Sequence, residues 1–213
     1  LPDIDSQEKI ASILSAYDDL IENNNRRITL LEKAARLIYR EWFVHFRFPG
    51  YENTPFENGL PVGWKKKPFS TLAEFMNGFA FKPKHLGEEG LPIVKIPELR
   101  DGVTRKTPYY SGEEVPDRYL LDDGDLIFSW SGTLAVEFWV CGDAYLNQHL
   151  FKVTEKDGIS KEFLLLAIRE SMERFFGQAV GATMKHIRRS ALDQIDHPIP
   201  PYDLMAYFKK QIE

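Results

Sequence analysis

Two short stretches hold residues whose types and spacing suggest chemistry on DNA. The first is His197-Pro-Ile-Pro-Pro-Tyr-Asp203. Adenine-N6 methyltransferases use an Asn/Asp-Pro-Pro-Tyr/Phe box in which the first residue holds the amino group. Here that position is Ile199, which can neither accept nor donate a hydrogen bond, and no glycine-rich cofactor loop lies upstream. Pro200-Pro201 instead reads as a rigid entry to a helix, because proline suits the first helical turn. The second stretch is Thr183-Met-Lys-His-Ile-Arg-Arg189, after Gly177 and Gly181. Arg and Lys donate to guanine edges and to phosphates, and Asn or Gln reads adenine. Thr183, Lys185, His186, Arg188 and Arg189 are therefore candidate DNA contacts, with Ile187 as the anchor. The plainer alternative is surface charge leading into the last helix.

Asn77, Lys82 and Lys84 form a second candidate group, in a polar and aromatic loop whose Phe79 and Phe81 read as core. Lys65, Lys66 and Lys67 suit a phosphate clamp or a solvated strand edge. Ser129, Trp130, Ser131 and Thr133 read as structural, with Trp130 buried and the hydroxyls bonding backbone. Asn147-Gln148-His149 is ambiguous between DNA contact and a turn that orders the next strand, the turn being the plainer reading.

Catalytic patterns are scarce. The five histidines are scattered, without the spacing of metal ligands. There is no hydrolase elbow around Ser131, no phosphate loop and no acidic residue two positions before a lysine, as a common nuclease core would require. Net charge is −5, so any attraction to DNA rests on local basic clusters rather than on the total. The single Cys141 cannot form an internal disulfide, which suits a cytoplasmic chain, and it reads as a buried small hydrophobe. No apolar run approaches a membrane span, and no signal-peptide pattern opens the chain.

Residues 6–45 must position this machinery as one long helix. Asp5 and Glu8 stand at capping-box spacing, and no Gly or Pro interrupts the run before Pro49-Gly50. Ile10, Leu14, Tyr17, Ile21, Asn24, Ile28, Leu31, Ala35, Ile38 and Trp42 alternate steps of four and three, the seam of a coiled coil. Asn24 breaks it, either fixing register or marking a wet gap, and Ile13 and Leu20 widen it at one end. Such a helix spans about 60 Å and needs a second long helix as partner. The tail suggests one. Leu1–Asp5 aligns with Ile199–Asp203, and at the same offset Ile10 falls on Phe208 and Leu14 on Ile212. Residues 199–213 read as the opening of a second spacer helix.

Between the helices the pattern is mixed. Residues 51–59 read as a linker. Strands are expected at 92–97, 125–130, 134–140 and 149–153, and a helix capped by Ser160 over 160–176. Thr71 with Glu74 suggests a short helix ending near Gly78, and Ser190 with Asp193 another. The fold class is α+β: one mixed α/β domain attached to a long coiled-coil helix, with the start of a second helix.

The order of these segments resembles the specificity subunit of type I restriction-modification enzymes. The resemblance rests on Gln7–Leu14, Leu60-Pro-Val-Gly-Trp64, Phe75–Lys82, Pro92–Ile96 with Arg100-Asp-Gly102, Asp123–Thr133, Leu146–Val153 and Gly181–Ile187. It implies a spacer helix at 1–50, a linker at 51–59, a target recognition domain at 60–198 and a second helix from 199. It also implies a subunit without catalysis of its own, reading one half of a split double-stranded DNA target. Modification (HsdM) and restriction (HsdR) subunits would dock on it and carry S-adenosylmethionine, ATP and Mg. The partner helix would come from the same full-length subunit or from a second copy. The family plan has two recognition domains and two helices, and this chain departs from it in holding one domain, one helix and a stub. A coiled-coil adaptor without DNA readout, or a relic methyltransferase, are the competing readings.

Overall fold

The computed structural model describes residues 2–156, 158–180 and 186–212. The chain divides into two compact units, Leu1–Glu52 and Asn53–Glu213.

In the first unit α1 spans Ile4–Tyr39 and widens into a π turn at Arg40–Val44. The helix starts two residues earlier than expected, and so does its cap. Asp3 is the N-cap, its Oδ1 accepting from Ser6 N at 2.7 Å. Asp5 falls inside the first turn, where a carboxylate favours the helix dipole. The 36 residues of α1 extend roughly 54 Å. The seam residues Ile10, Leu14, Tyr17, Ile21, Ile28 and Leu31 are all exposed in the single chain, while Ala35, Ile38 and Trp42 are half-buried.

The second unit opens where a linker was expected, yet that segment is ordered. A 3-10 turn covers Tyr51–Asn53, and β1 (Phe56–Glu57) pairs with β2 (Leu60–Pro61). The turn between them is Asn58-Gly59, both with positive φ (51° and 77°). An Asn-Gly pair in this conformation is the favoured two-residue hairpin loop, a signal that the linker reading passed over.

Next come β3 (Lys65–Pro68), α2 (Phe69–Leu72) and β4 (Ala73–Asn77). Here a sequence expectation fails. Thr71 and Glu74 do not form a capping box: Thr71 Oγ1 donates to Pro68 O at 2.8 Å, and Glu74 lies in β4. Pairing of the alternating Ala73 and Phe75 with a core strand outweighs the local helix signal.

The chain continues through β5 (Leu91–Val94), α3 (Ile96–Asp101), β6 (Tyr109–Tyr110) and β7 (Leu120–Leu121). Strands β8 (Leu126–Ser129), β9 (Ala135–Phe138), β10 (Ala144–Leu146) and β11 (Leu150–Glu155) follow. Strand order is β4-β11-β8-β9 in one antiparallel sheet and β6-β5-β10-β7 in the other, where β5 and β10 run parallel. Cys141, expected to be buried, is exposed in the turn between β9 and β10.

Helices α4 (Lys161–Glu170) and α5 (Met172–Gly177) replace the single helix expected over 160–176. Ser160 caps α4 as expected, accepting from Phe163 N at 3.2 Å. Ser171, 2% exposed, marks the break. Strands β12 (Ala179–Val180) and β13 (His186–Ile187) pair, and α6 (Ala191–Gln194), β14 (Asp196–Ile199) and α7 (Tyr202–Ile212) complete the unit. Ser190 makes no side-chain cap on α6, and Asp193 N bonds to its backbone carbonyl instead. Pro200-Pro201 leads into α7, which buries Met205 and Phe208.

All four residues of β8 are buried, so this sheet is covered on both faces. Ile127 faces a cluster with Val94, Leu121, Trp139, Leu146 and Leu150. Phe128 faces the opposite way, towards Phe75, Phe151 and Phe175. Burying four phenylalanine rings at edge or tilted geometry is worth about 1.5–3 kcal/mol for each side chain.

Candidate functional site

The antiparallel sheet gathers several loops at one end. In its register Asn77 pairs with Phe151, Leu150 with Ser129, and Ser129 with Ala135. The exit of β4, the entry of β11, the exit of β8 and the entry of β9 therefore lie side by side. Two of these loops interlock through backbone. Phe79 N donates to Leu146 O at 2.8 Å, and Gln148 N to Phe79 O at 2.9 Å. Gly78 makes this approach possible: a Cβ there would lie 2.3 Å from Leu146 O.

Strand β13 and the residues after it are drawn onto the same end. Ile187 N donates to Trp130 O at 2.9 Å, and Ser131 Oγ is hydrogen-bonded to His186 Nδ1 at 2.8 Å. Arg189 reaches β4, donating from Nη2 to Phe75 O at 2.8 Å and from Nη1 to Asn77 Oδ1 at 3.2 Å. Its guanidinium lies over the Phe151 ring, 5.8 Å from the centroid. Asn77 Nδ2 in turn donates to Gln148 O at 3.3 Å.

Trp130 stands in the middle of this group. Its ring is 5.8–5.9 Å from those of His149, Phe151 and His186. It is half-buried rather than buried as expected, with Nε1 enclosed and without a partner, as is His149 Nδ1. Enclosed polar atoms of this kind are costly, and they concentrate where a ligand or water completes the bonding. Ser129 behaves as its sequence suggests, donating to Thr133 O at 2.8 Å. Asn147 likewise orders its turn, accepting from His149 N at 3.3 Å.

A second cluster surrounds His85. Lys82 N donates to His85 Nδ1 at 3.1 Å, so in the neutral ring Nε2 carries the proton and donates to Glu114 at 3.2 Å. Lys84 Nζ meets the same carboxylate at 2.7 Å. Hydrogen bonds from Lys84 and then from His85 hold the Glu114 carboxyl below the usual range. Phe79 and Phe81 are half-buried, packed against Ile93, Tyr110 and Val115. Among the described residues no group of three or more metal-ligating side chains assembles, and no helix is long and apolar enough to cross a membrane.

A family model for the type I restriction modification DNA specificity domain matches residues 61–206. The chain belongs to this family. Among its relatives, the specificity subunit of the type I restriction enzyme MjaIX from Methanocaldococcus jannaschii is 24% identical over 231 residues, covering 100% of this chain and 52% of the relative. The EcoBI specificity subunit of Escherichia coli is 28% identical over 141 residues, or 65% of this chain and 29% of the relative. In fold, the chain is similar to the crystal structure of the HsdS subunit from Thermoanaerobacter tengcongensis, with TM-score 0.56 at 17% identity. That match covers 100% of this chain and 52% of the other. The chain thus spans about half the length of the full-length specificity subunits it matches.

Within this specificity domain the sequence candidates separate. Asn77, His186 and Arg189 come together at the sheet end, and Arg188 is exposed beside them in the chain. Lys82 and Lys84 belong to the His85 cluster. Lys65, Lys66 and Lys67 line the exposed strand β3, whose partner is β14 and not the four-stranded sheet. Thr183 and Lys185 lie outside the described residues. Trp130, Gln148 and His149 join the group at the sheet end, although the sequence favours a structural role for each. Their one shared signal is position, since each flanks the end of a strand.

Proposed function

We propose that this chain is a DNA-reading and assembly subunit of a type I restriction-modification enzyme, without catalysis of its own. The observation that carries this reading is the convergence of Asn77, Gln148, Trp130, His186 and Arg189 on one end of the sheet in a DNA specificity domain. Amide and imidazole groups on loops can supply the donors and acceptors of base-edge readout, and loops on a rigid scaffold commonly carry binding.

In this reading the domain takes one half of a bipartite double-stranded target in a cytoplasmic complex. The exposed apolar seam of α1 pairs with a second spacer helix, from the same full-length subunit or from another copy. Modification and restriction subunits dock on the scaffold and supply S-adenosylmethionine, ATP and Mg chemistry. Lys65 to Lys67 and Arg188 serve the phosphates, which position without specifying.

The test is DNA binding by the complex assembled with modification subunits, measured over a salt series. Arg188→Ala should weaken binding and make the salt dependence shallower by about one phosphate contact, roughly 0.9 in the log–log slope. His186→Ala should weaken binding to the target more than to unrelated duplex. Unchanged affinity and unchanged site choice for both variants would leave a helical adaptor without DNA readout as the better account.

A further inference from the structure

Asn77 occupies an unusual position among the groups at the sheet end. It closes β4 on the face that carries Phe151, and it is half-buried. Both ends of its carboxamide are held. Oδ1 accepts from Arg189 at 3.2 Å, and Nδ2 donates to Gln148 O at 3.3 Å. Rotating the amide by half a turn would set N–H against N–H at Arg189 and oxygen against oxygen at Gln148. One orientation is therefore fixed before any ligand arrives.

A carboxamide offers two donors and two acceptor lone pairs. One of each is used within the protein, which leaves one donor and one acceptor on the same carboxamide. That pair is complementary to the major-groove edge of adenine, whose N7 accepts and whose N6 amino group donates. Arg189, by contrast, has given an N–H from each terminal nitrogen to the protein, one to Phe75 O and one to Asn77. Stacking over Phe151 restrains its plane further.

We propose that Asn77 reads an adenine in the half-site, and that Arg189 is a positioning residue that aims it rather than a DNA contact. This rests on the DNA-reading function proposed above. It reverses the role that a basic run gives Arg189 from sequence alone.

The experiment is selection of duplexes from a random pool by the chain assembled with modification subunits, followed by affinity measurements over a salt series. The wild-type chain should enrich a motif with adenine at one position, preferred by about tenfold or more, the discrimination of a bidentate pair. Asn77→Asp removes the donor and keeps the shape. It should move that single position from adenine towards cytosine, whose amino group an acceptor reads, and leave the rest of the motif alone. Arg189→Ala should flatten the preference at the same position without changing the salt slope, and Arg189→Lys should restore part of it. In the free protein, the Nδ2 protons of Asn77 should be protected from solvent exchange, and in the Arg189→Ala variant their signals should shift and exchange faster.

A motif untouched by Asn77→Asp would overturn the base assignment. An Arg189→Ala variant that keeps the adenine preference, loses about one phosphate from the salt slope, or leaves the Asn77 signals unchanged would overturn the positioning role. An assembled wild-type complex that enriches no sequence would reject the DNA-reading function itself, and this inference with it.

Discussion

His197 shows how one enclosed side chain can set the acid response of the domain. It is 4% exposed, with Phe69 and Phe163 rings 5.4 and 5.7 Å away. Burial, with the Arg174 charge adding repulsion, pushes its pKa down from 6.5 to about 3. Between those values the unfolded chain takes a proton that the folded chain refuses. Stability is therefore full above about pH 6.5 and falls as the pH drops towards 3, by up to roughly 1.4 kcal/mol per unit from this group. Urea denaturation at pH 7, 5.5 and 4.5 should show that decline, and His197→Leu should flatten it. An unaltered acid limb in the variant would contradict this account. The sequence could not have announced His197, because nothing local encloses it: Phe69 and Phe163 arrive from distant segments. Arg189 makes the same point. Its basic neighbours suggested DNA, yet its partners Phe75 and Asn77 lie more than a hundred residues away. What sequence did convey was the kind of side chain available, and the hydroxyl bonds of Ser129 and the cap of Ser160 followed from purely local chemistry.

Strands with strong alternation or full burial were legible as elements, and β8, β9 and β11 lie where the pattern puts them. The failures came where a short local signal met a tertiary demand. Thr71 and Glu74 advertise a helix, but β4 is taken by its ladder with β11. Residues 51–59 read as a linker; the boundary between the two units falls within them, and the Asn58-Gly59 turn joins β1 to β2 at their end. Two predictions belong to this scale. Phe128→Ala empties the centre of the phenylalanine layer and should cost about 3–5 kcal/mol, read from the denaturation midpoint. Gly78→Ala is smaller in volume yet strikes backbone, since its Cβ would sit 2.3 Å from Leu146 O. It should cost about 1–3 kcal/mol and spread the two loops that hold Asn77, lowering DNA selectivity beyond the loss of stability. A Gly78→Ala protein with wild-type midpoint and selectivity would show that the close approach is not required.

At the scale of the whole molecule, the long apolar seam of α1 is the feature the sequence stated most openly. Its residues stand exposed in the single chain, Leu14 at 59% and Leu31 at 67%. Apolar surface repeated in this way is covered by another helix in any stable assembly. The isolated chain should therefore self-associate with rising concentration in sedimentation equilibrium, and Ile21→Glu with Ile28→Glu should hold it monomeric. A wild-type chain that stays monomeric at every concentration would count against helix pairing between copies. Whether this domain reads DNA is decided by exchanging it between subunits. Residues 60–198 would replace one recognition domain in a working type I system, and methylated adenines would be mapped across the host genome. The account predicts that one half of the methylated sequence changes while the other half stays. An assembled chimera whose methylated site is unaltered or lost would contradict it.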